Sequence, residues 1–233
     1  MAREEQIDGL RRNILFRDLD DTRIGRIADA CRWLRYDDGR QIVGQSDSST
    51  DVFYVIEGVV RAKSFSGAGR EVSFFDIAEG DLFGEFSAID GRPRSSAVVS
   101  VTPCLVARMA AGDFRKMLEE NPDAALKLIT LLVSKTRSLS DRVFEFSTLP
   151  VPSRVHVELL RLADQVDGDG QSAVIQPAPT HQELATRIST HREAVTRELN
   201  HLVAEGLIAL RRRRVEILDL PRLRELVDEA LDG

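Results

Sequence analysis

Glu85 and Arg94 stand about ten positions apart in the run Gly84-Glu85-Phe86-Ser87-Ala88-Ile89-Asp90-Gly91-Arg92-Pro93-Arg94-Ser95-Ser96-Ala97. Their chemistries are opposite. A carboxylate accepts a hydrogen bond from a hydroxyl, whereas a guanidinium offers an anion a planar, permanently charged fork. Gly84 permits close backbone approach, and the turn after it is placed to aim N–H groups at an anion. These residue types in this order suit a small ligand that carries a hydroxyl next to a phosphate. A lone Glu or a lone Arg would carry little weight; the ordered run makes Gly84, Glu85, Phe86, Ser87, Arg94, Ser95 and Ser96 candidate ligand contacts.

A second chemical cluster lies near the C-terminus. The 233-residue chain is acidic overall, with a formal net charge of −6. Between Arg187 and Arg214, however, seven arginines face three acids, a local excess of four positive charges. Arginine is suited to bidentate contact with phosphate and with guanine. Arg192, Glu193 and Arg197 stand at i, i+1 and i+5, so all three fit the first turns of a helix that enters a major groove. There Arg pairs with guanine and Glu accepts from the cytosine amino group. Val195, Leu199 and Leu202 face the other way, toward a core.

The elements that must position these clusters are legible from pattern. Residues before Trp33 read as helical, with Ile7, Leu10, Ile14, Ile24 and Ile27 on the apolar face. From Trp33 to Met109, short β-prone runs such as Val52–Ile56 and Ala97–Val101 alternate with turns at Gly39, Gly44, Gly58, Gly67, Gly69, Gly80 and Gly91. That texture predicts an antiparallel barrel or jelly roll. Asn121-Pro122-Asp123 opens a long helix, with Pro122 in its first turn. Along it Ile129, Leu132, Thr136, Leu139, Val143 and Phe146 recur at steps of three and four, a narrow seam that predicts a parallel dimer. Leu149-Pro150-Val151-Pro152 ends the helix. The expected division is 1–120 for the β-roll, 121–149 for the dimer helix and hinge, and 150–233 for a helix-rich domain.

Within that last domain an Asp167-Gly168-Asp169-Gly170 turn precedes a helix-turn-helix. Thr180 and Glu183 form a capping box for a helix from Gln182 to Ile188. Ser189-Thr190 makes the turn, and His191 to Glu205 forms the second helix, closed by Gly206. Leu207–Leu210 and Val215–Leu218 then flank Arg211, Arg212, Arg213 and Arg214 as a two-stranded wing, followed by a short helix from Pro221. The fold class is α+β.

The cassette residues resemble the phosphate-binding cassette of cyclic-nucleotide-binding domains. With the dimer helix, the hinge and the Thr180–Arg197 motif, nearly the whole chain resembles the CRP/FNR family of bacterial transcription regulators, closest in pattern to its cyclic-AMP receptor members. The resemblance implies Glu85 on a ribose 2′-hydroxyl, Arg94 on the cyclic phosphate with Ser95 beside it, and Arg192, Glu193 and Arg197 reading a TGTGA-type palindrome. It also implies a cyclic-nucleotide effector, cAMP foremost with cGMP open, and a homodimer on double-stranded DNA that contacts RNA polymerase. Thr180, His181, His191 and Arg211–Arg213 join the expected DNA contacts.

The chain departs from the family pattern at four places. Ser189 occupies the turn position that usually holds Gly. His191 stands where Ser or Thr is usual. Leu139, followed by Ser140, replaces an adenine-reading Thr, so both are candidate base contacts and the base preference is open. The N-terminal cysteine cluster of an iron–sulfur sensor is missing, as Cys31 and Cys104 are the only cysteines.

Three other readings weaken on inspection. A jelly-roll oxygenase needs clustered histidines inside the barrel, but the four histidines (His156, His181, His191, His201) follow it, so neither a metal nor an enzyme is expected. A cyclic-nucleotide module without DNA binding conflicts with the helix-turn-helix, and an effector-independent regulator conflicts with the intact Glu85 and Arg94. No apolar run approaches the ~20 residues of a membrane span, and the charged N-terminus lacks a signal peptide, which predicts a cytoplasmic protein without membrane contact.

Overall fold

The computed structural model describes residues 2–65, 71–164 and 170–232. The chain divides into two compact units, Met1–Lys135 and Thr136–Gly233, so the boundary falls inside the long helix. The turn positions Gly67, Gly69 and Asp167–Asp169 lie outside the described residues.

The first unit begins with α1 (Arg3–Arg11) and α2 (Asp21–Asp29), the latter capped by Asp20, whose side chain accepts from the Arg23 N–H. Among the described residues eight strands follow: β1 (Cys31–Tyr36), β2 (Gln41–Val43), β3 (Val52–Glu57), β4 (Val59–Phe65), β5 (Glu71–Ala78), β6 (Leu82–Phe83), β7 (Ala97–Ser100) and β8 (Cys104–Met109). They build two four-stranded sheets with orders β1-β8-β3-β6 and β2-β7-β4-β5, all pairs antiparallel. This is the predicted β-roll.

Strand alternation builds two cores at once. Val52, Tyr54 and Ile56 of β3, with Leu105, Ala107 and Met109 of β8, join a cluster that includes Leu10, Phe16 and Ile24 from the helical side. The intervening Phe53, Val55, Cys104 and Val106 fill the space between the sheets with Val60, Ile77 and Val98. A strand buried on both faces reads as a continuous apolar run, which is why Val52–Ile56 stood out in the sequence. Three helices complete the unit's plan: α3 (Glu85–Asp90) in the cassette, α4 (Ala111–Glu120), which the sequence pattern left unassigned, and the start of α5 (Pro122–Thr148). Ala124 and Leu128 of α5 are buried in the helix-side core and Leu131 and Leu132 pack against it. Leu132, expected in the dimer seam, therefore packs against its own unit's core.

The second unit contains α6 (Val151–Ala163), β9 (Ala173–Ile175), α7 (His181–Arg187), α8 (Arg192–Ala204), β10 (Ile208–Arg211), β11 (Arg214–Ile217) and α9 (Leu220–Asp232). The wing is a three-stranded sheet of order β10-β11-β9, one strand more than expected, because Ala173–Ile175 pairs with Val215–Ile217. Three residues before a helix give too little periodicity to mark a strand in sequence. The last helix runs 13 residues and is not short. Leu159, Leu184, Val195, Leu199, Leu202 and Leu223 close the core among the helices.

Candidate functional site

In the first unit Gly84 ends the β6 segment with φ +87, and a Cβ there would sit 2.5 Å from Arg94 Nη1 and 2.6 Å from the Asp51 carbonyl. Conformation and space both demand glycine. The sharp turn starts α3, so Glu85 is carried inward and is 4% exposed, while Phe86, the next residue, is turned out and exposed. Arg94 is also 4% exposed. Its Nη1 donates to the Gly84 carbonyl (3.1 Å), its Nη2 to the Asp51 carbonyl (2.7 Å) and its Nε to the Ser49 hydroxyl (3.1 Å). The Phe53 ring lies 5.8 Å from the guanidinium carbon. Burial lowers the Arg94 pKa, and the fields of Asp51, Asp47 and Glu85 oppose that shift. The guanidinium is thus fixed in plane before any ligand arrives, with further N–H groups left over from its five donors.

Glu85 and Arg94 line one cavity together with Ser87, Ser95, Ser96 and Lys135, over an apolar wall of Val43, Ala62, Ile77 and Val98. The Lys135 ammonium reaches Glu85 Oε1 at 2.9 Å. A carboxylate, a guanidinium, an ammonium and hydroxyl-bearing serines therefore converge at one mouth: donors and charge for an anion at one end and a hydroxyl acceptor at the other. Ser87 is buried, and Ser95 is exposed. Ser49 and Asp51 were missed in the sequence because they lie more than 40 positions from Arg94. Leu139 and Ser140 belong to the second unit, where both are exposed and the Ser140 hydroxyl donates to the Thr136 carbonyl at 3.1 Å.

In the second unit the Thr180 capping box forms as expected, with Thr180 Oγ1 accepting from the Glu183 N–H and Glu183 accepting from the Thr180 N–H at 2.8 Å. The helix it caps begins at His181, one residue early, and His191 is the N-cap residue of α8. Ser189 sits at φ +53, in the left-handed region where glycine is favoured. Arg192, Glu193 and Arg197 are all exposed on α8, while Val195, Leu199 and Leu202 are buried. His181 Nδ1 lies 2.8 Å from Thr196 Oγ1, which itself donates to the Arg192 carbonyl, so His181 ties α7 to the first turn of α8. Arg211 and Arg214 pair across the wing hairpin, leaving Arg212 and Arg213 at its tip with Arg213 at φ +55. Arg211, Arg212 and Arg213 are exposed, whereas Arg214 is half-buried and pairs with Glu216 at 2.9 Å. Arg214 is thereby separated from the other three.

Among the described residues no group of three or more His, Cys, Asp or Glu side chains is placed to hold a metal ion, and no helix is long and apolar enough to cross a membrane. Burial pushes the Cys31 thiol up to about 12, far from a reactive thiolate.

Comparison with known proteins follows the same division. Residues 33–121 match the model of the cyclic nucleotide-binding domain, and residues 153–226 match that of the Crp-like helix-turn-helix domain; together they span well over half of the chain. The cAMP-activated global transcriptional regulator CRP of Salmonella typhimurium is 27% identical over 180 residues, covering 77% of this chain and 86% of that protein. The catabolite activator protein of Thermus thermophilus is 27% identical over 93% of this chain and 99% of its own, with a TM-score of 0.53. The c-di-GMP-responsive regulator CLP of Xanthomonas campestris shares the fold at a TM-score of 0.72 with 22% identity, over 85% of this chain and 99% of that one. A cyclic nucleotide-binding β-roll followed by a Crp-like helix-turn-helix places this chain in the CRP/FNR family of DNA-binding transcription regulators.

Proposed function

We propose that this protein is a homodimeric transcription regulator controlled by cAMP that reads a TGTGA-like palindrome. The observation that carries the effector is the convergence of Glu85, Arg94 and Lys135 in one cavity. A ribose 2′-hydroxyl would donate to Glu85, sharing its carboxylate with Lys135. The cyclic phosphate would meet the N–H groups of Arg94 not used internally and the Ser95 hydroxyl. Gly84, Phe86, Ser87 and Ser96 complete the ligand set, and Leu139 and Ser140 would meet the base. The exposed Ile129, Leu139, Val143 and Phe146 on α5 support a dimer built along that helix.

On the DNA side Arg192 and Arg197 would take guanines and Glu193 a cytosine, with Thr180, His181, His191, Arg211, Arg212 and Arg213 on the backbone. In this reading residues 1–120 form the effector domain, 121–149 the dimer helix and hinge, and 150–233 the DNA-binding domain. It acts in the cytoplasm, with RNA polymerase as a partner and no metal. The ligand shifts a population toward the DNA-competent state only by its preference for that state.

A second effector reading, cGMP or a cyclic dinucleotide, draws on Leu139 in place of a hydroxyl residue and on the c-di-GMP responsiveness in the name of the Xanthomonas relative. Calorimetric titration of the purified protein with cAMP, cGMP and cyclic di-GMP separates these. Saturable one-to-one binding of cAMP per chain, tighter than either alternative, is expected. Absence of heat with all three would leave an effector-independent regulator.

A further inference from the structure

A buried charge network lies at the C-terminal end of α7, apart from the residues proposed above for ligand and DNA contact. Its centre is Glu158 on α6, 1% exposed. Glu158 Oε2 holds Arg161 Nη1 at 2.7 Å and Arg142 Nη2 at 3.6 Å, and its Oε1 holds Arg187 Nη1 at 3.3 Å. Arg161 Nη2 reaches Glu145 Oε1 at 2.6 Å. Arg142 comes from α5, Arg187 is the last residue of α7, and all five side chains are largely withdrawn from solvent.

Arg142 of this network and the neighbouring Arg154 also hold backbone. Arg142 Nη1 donates to the Arg187 carbonyl at 3.3 Å, and Arg154 Nη1 donates to the Ile188 carbonyl at 2.9 Å. The last carbonyls of a helix lack intrahelical donors and form the negative end of its dipole, so a guanidinium there satisfies both needs. The residue that follows is Ser189, held at φ +53, where a glycine would be less strained. The turn that sets the path from α7 into α8 is therefore strained at Ser189 and clamped just before it. A separate link, His156 Nε2 to Glu198 Oε1 at 2.6 Å, ties α6 to the middle of α8.

We propose that Arg142 is a positioning residue for DNA reading. From α5 it grips the α7 terminus twice, through the Arg187 carbonyl and through Glu158 to the Arg187 side chain, and so fixes the angle at which α8 presents Arg192, Glu193 and Arg197. Arginine serves where lysine would not, because one planar fork spans a carbonyl and a carboxylate together. The proposal rests on α8 being the reading helix; the clamp on the turn does not.

The test uses the full chain with Arg142→Met and Arg142→Lys. The Met variant keeps the aliphatic stem, and Glu158 retains Arg161 and Arg187, so no carboxylate is stranded and the fold is expected to persist. Amide exchange is read at Thr190, whose N–H donates to the Ala185 carbonyl across the turn at 2.9 Å. Affinity is read for a duplex that the wild type selects from a random-sequence pool and for a scrambled duplex. In Arg142→Met, exchange at Thr190 is expected to rise about tenfold while amides of the wing strands stay within about twofold. The preference for the selected duplex should fall about tenfold with scrambled binding nearly unchanged, and Arg142→Lys should recover only part of each loss. Unchanged exchange at Thr190 would overturn the clamp. Equal weakening on both duplexes would make Arg142 a phosphate contact and overturn positioning. A wild type that selects no sequence would remove α8 as the reading helix, and the exchange result would then decide the clamp alone.

Discussion

The two arginine sites of this molecule are built in opposite ways. Arg94 is buried, and three of its donors are spent on Gly84, Asp51 and Ser49. Arg192 and Arg197 are exposed on α8, away from the buried face that carries Val195 and Leu199. A small ligand brings few atoms, so its site gains by fixing the fork in advance and losing no rotamer freedom on binding. A duplex brings many phosphates, and an exposed side chain adjusts to a base edge within a large charged interface. On the proposed function, preorganisation therefore sits in the residue itself at the first site, and in the elements beneath the residue at the second.

This contrast is most sharply broken at Arg94. Arg94→Leu should weaken cAMP binding by roughly 2–5 kcal/mol, since a desolvated anion loses its planar, charged hydrogen-bonding partner. Because two backbone carbonyls also lose their donor, the melting temperature should fall, at roughly 1–3 kcal/mol of unmet desolvation. Calorimetry and a thermal scan check the two effects, and normal cAMP affinity in this variant would end the preorganised-fork account. The dimer is a test of comparable size. Leu132→Asp would now mix core damage with dissociation, since Leu132 packs on its own unit's core. Ile129 (56% exposed) and Val143 (66% exposed) are the cleaner probes. Ile129→Asp and Val143→Asp should each sediment as folded monomers; intact dimers in both would locate the interface off α5.

The exposed arginines should respond more gently and more selectively. Arg197→Ala is expected to cost about 1–3 kcal/mol at one base pair of the half-site, with the other positions unchanged. A binding array of single-base variants decides this, and uniform weakening would reassign Arg197 to the backbone. Replacing Arg211, Arg212 and Arg213 with Gln should flatten the salt dependence without altering base preference. Arg214 serves as an internal contrast: it is half-buried and paired with Glu216, so Arg214→Gln should leave the salt slope nearly intact. The smallest effect is expected at Ser140. Its hydroxyl already donates to the Thr136 carbonyl, so Ser140→Ala should shift the cAMP-to-cGMP preference only modestly, as competitive titration would show.

Local chemistry carried much of this protein in the amino-acid sequence. The cassette was visible because Gly84, Glu85 and Arg94 fall within a few turns of chain, and the roles proposed for them match their residue types. The capping box at Thr180, the α8 face and the doubly buried β3 were visible because helical and strand periodicities are local. What escaped depends on contacts between distant segments. Strand β9 exists only because β11 offers it an edge. Ser49 and Asp51 orient Arg94 from a loop more than 40 residues upstream, with no pattern to mark them. Leu132 fits the dimer seam by spacing alone, and only the packed core at its side shows that it serves its own unit. The Glu158 network gathers residues 142 to 187, each of which reads singly as a solvated helix charge. Sequence determined which groups could do chemistry, because residue type and short spacing set that. Tertiary structure decided which of them are held, buried or free, because burial and partner choice arise only when distant segments exclude water together.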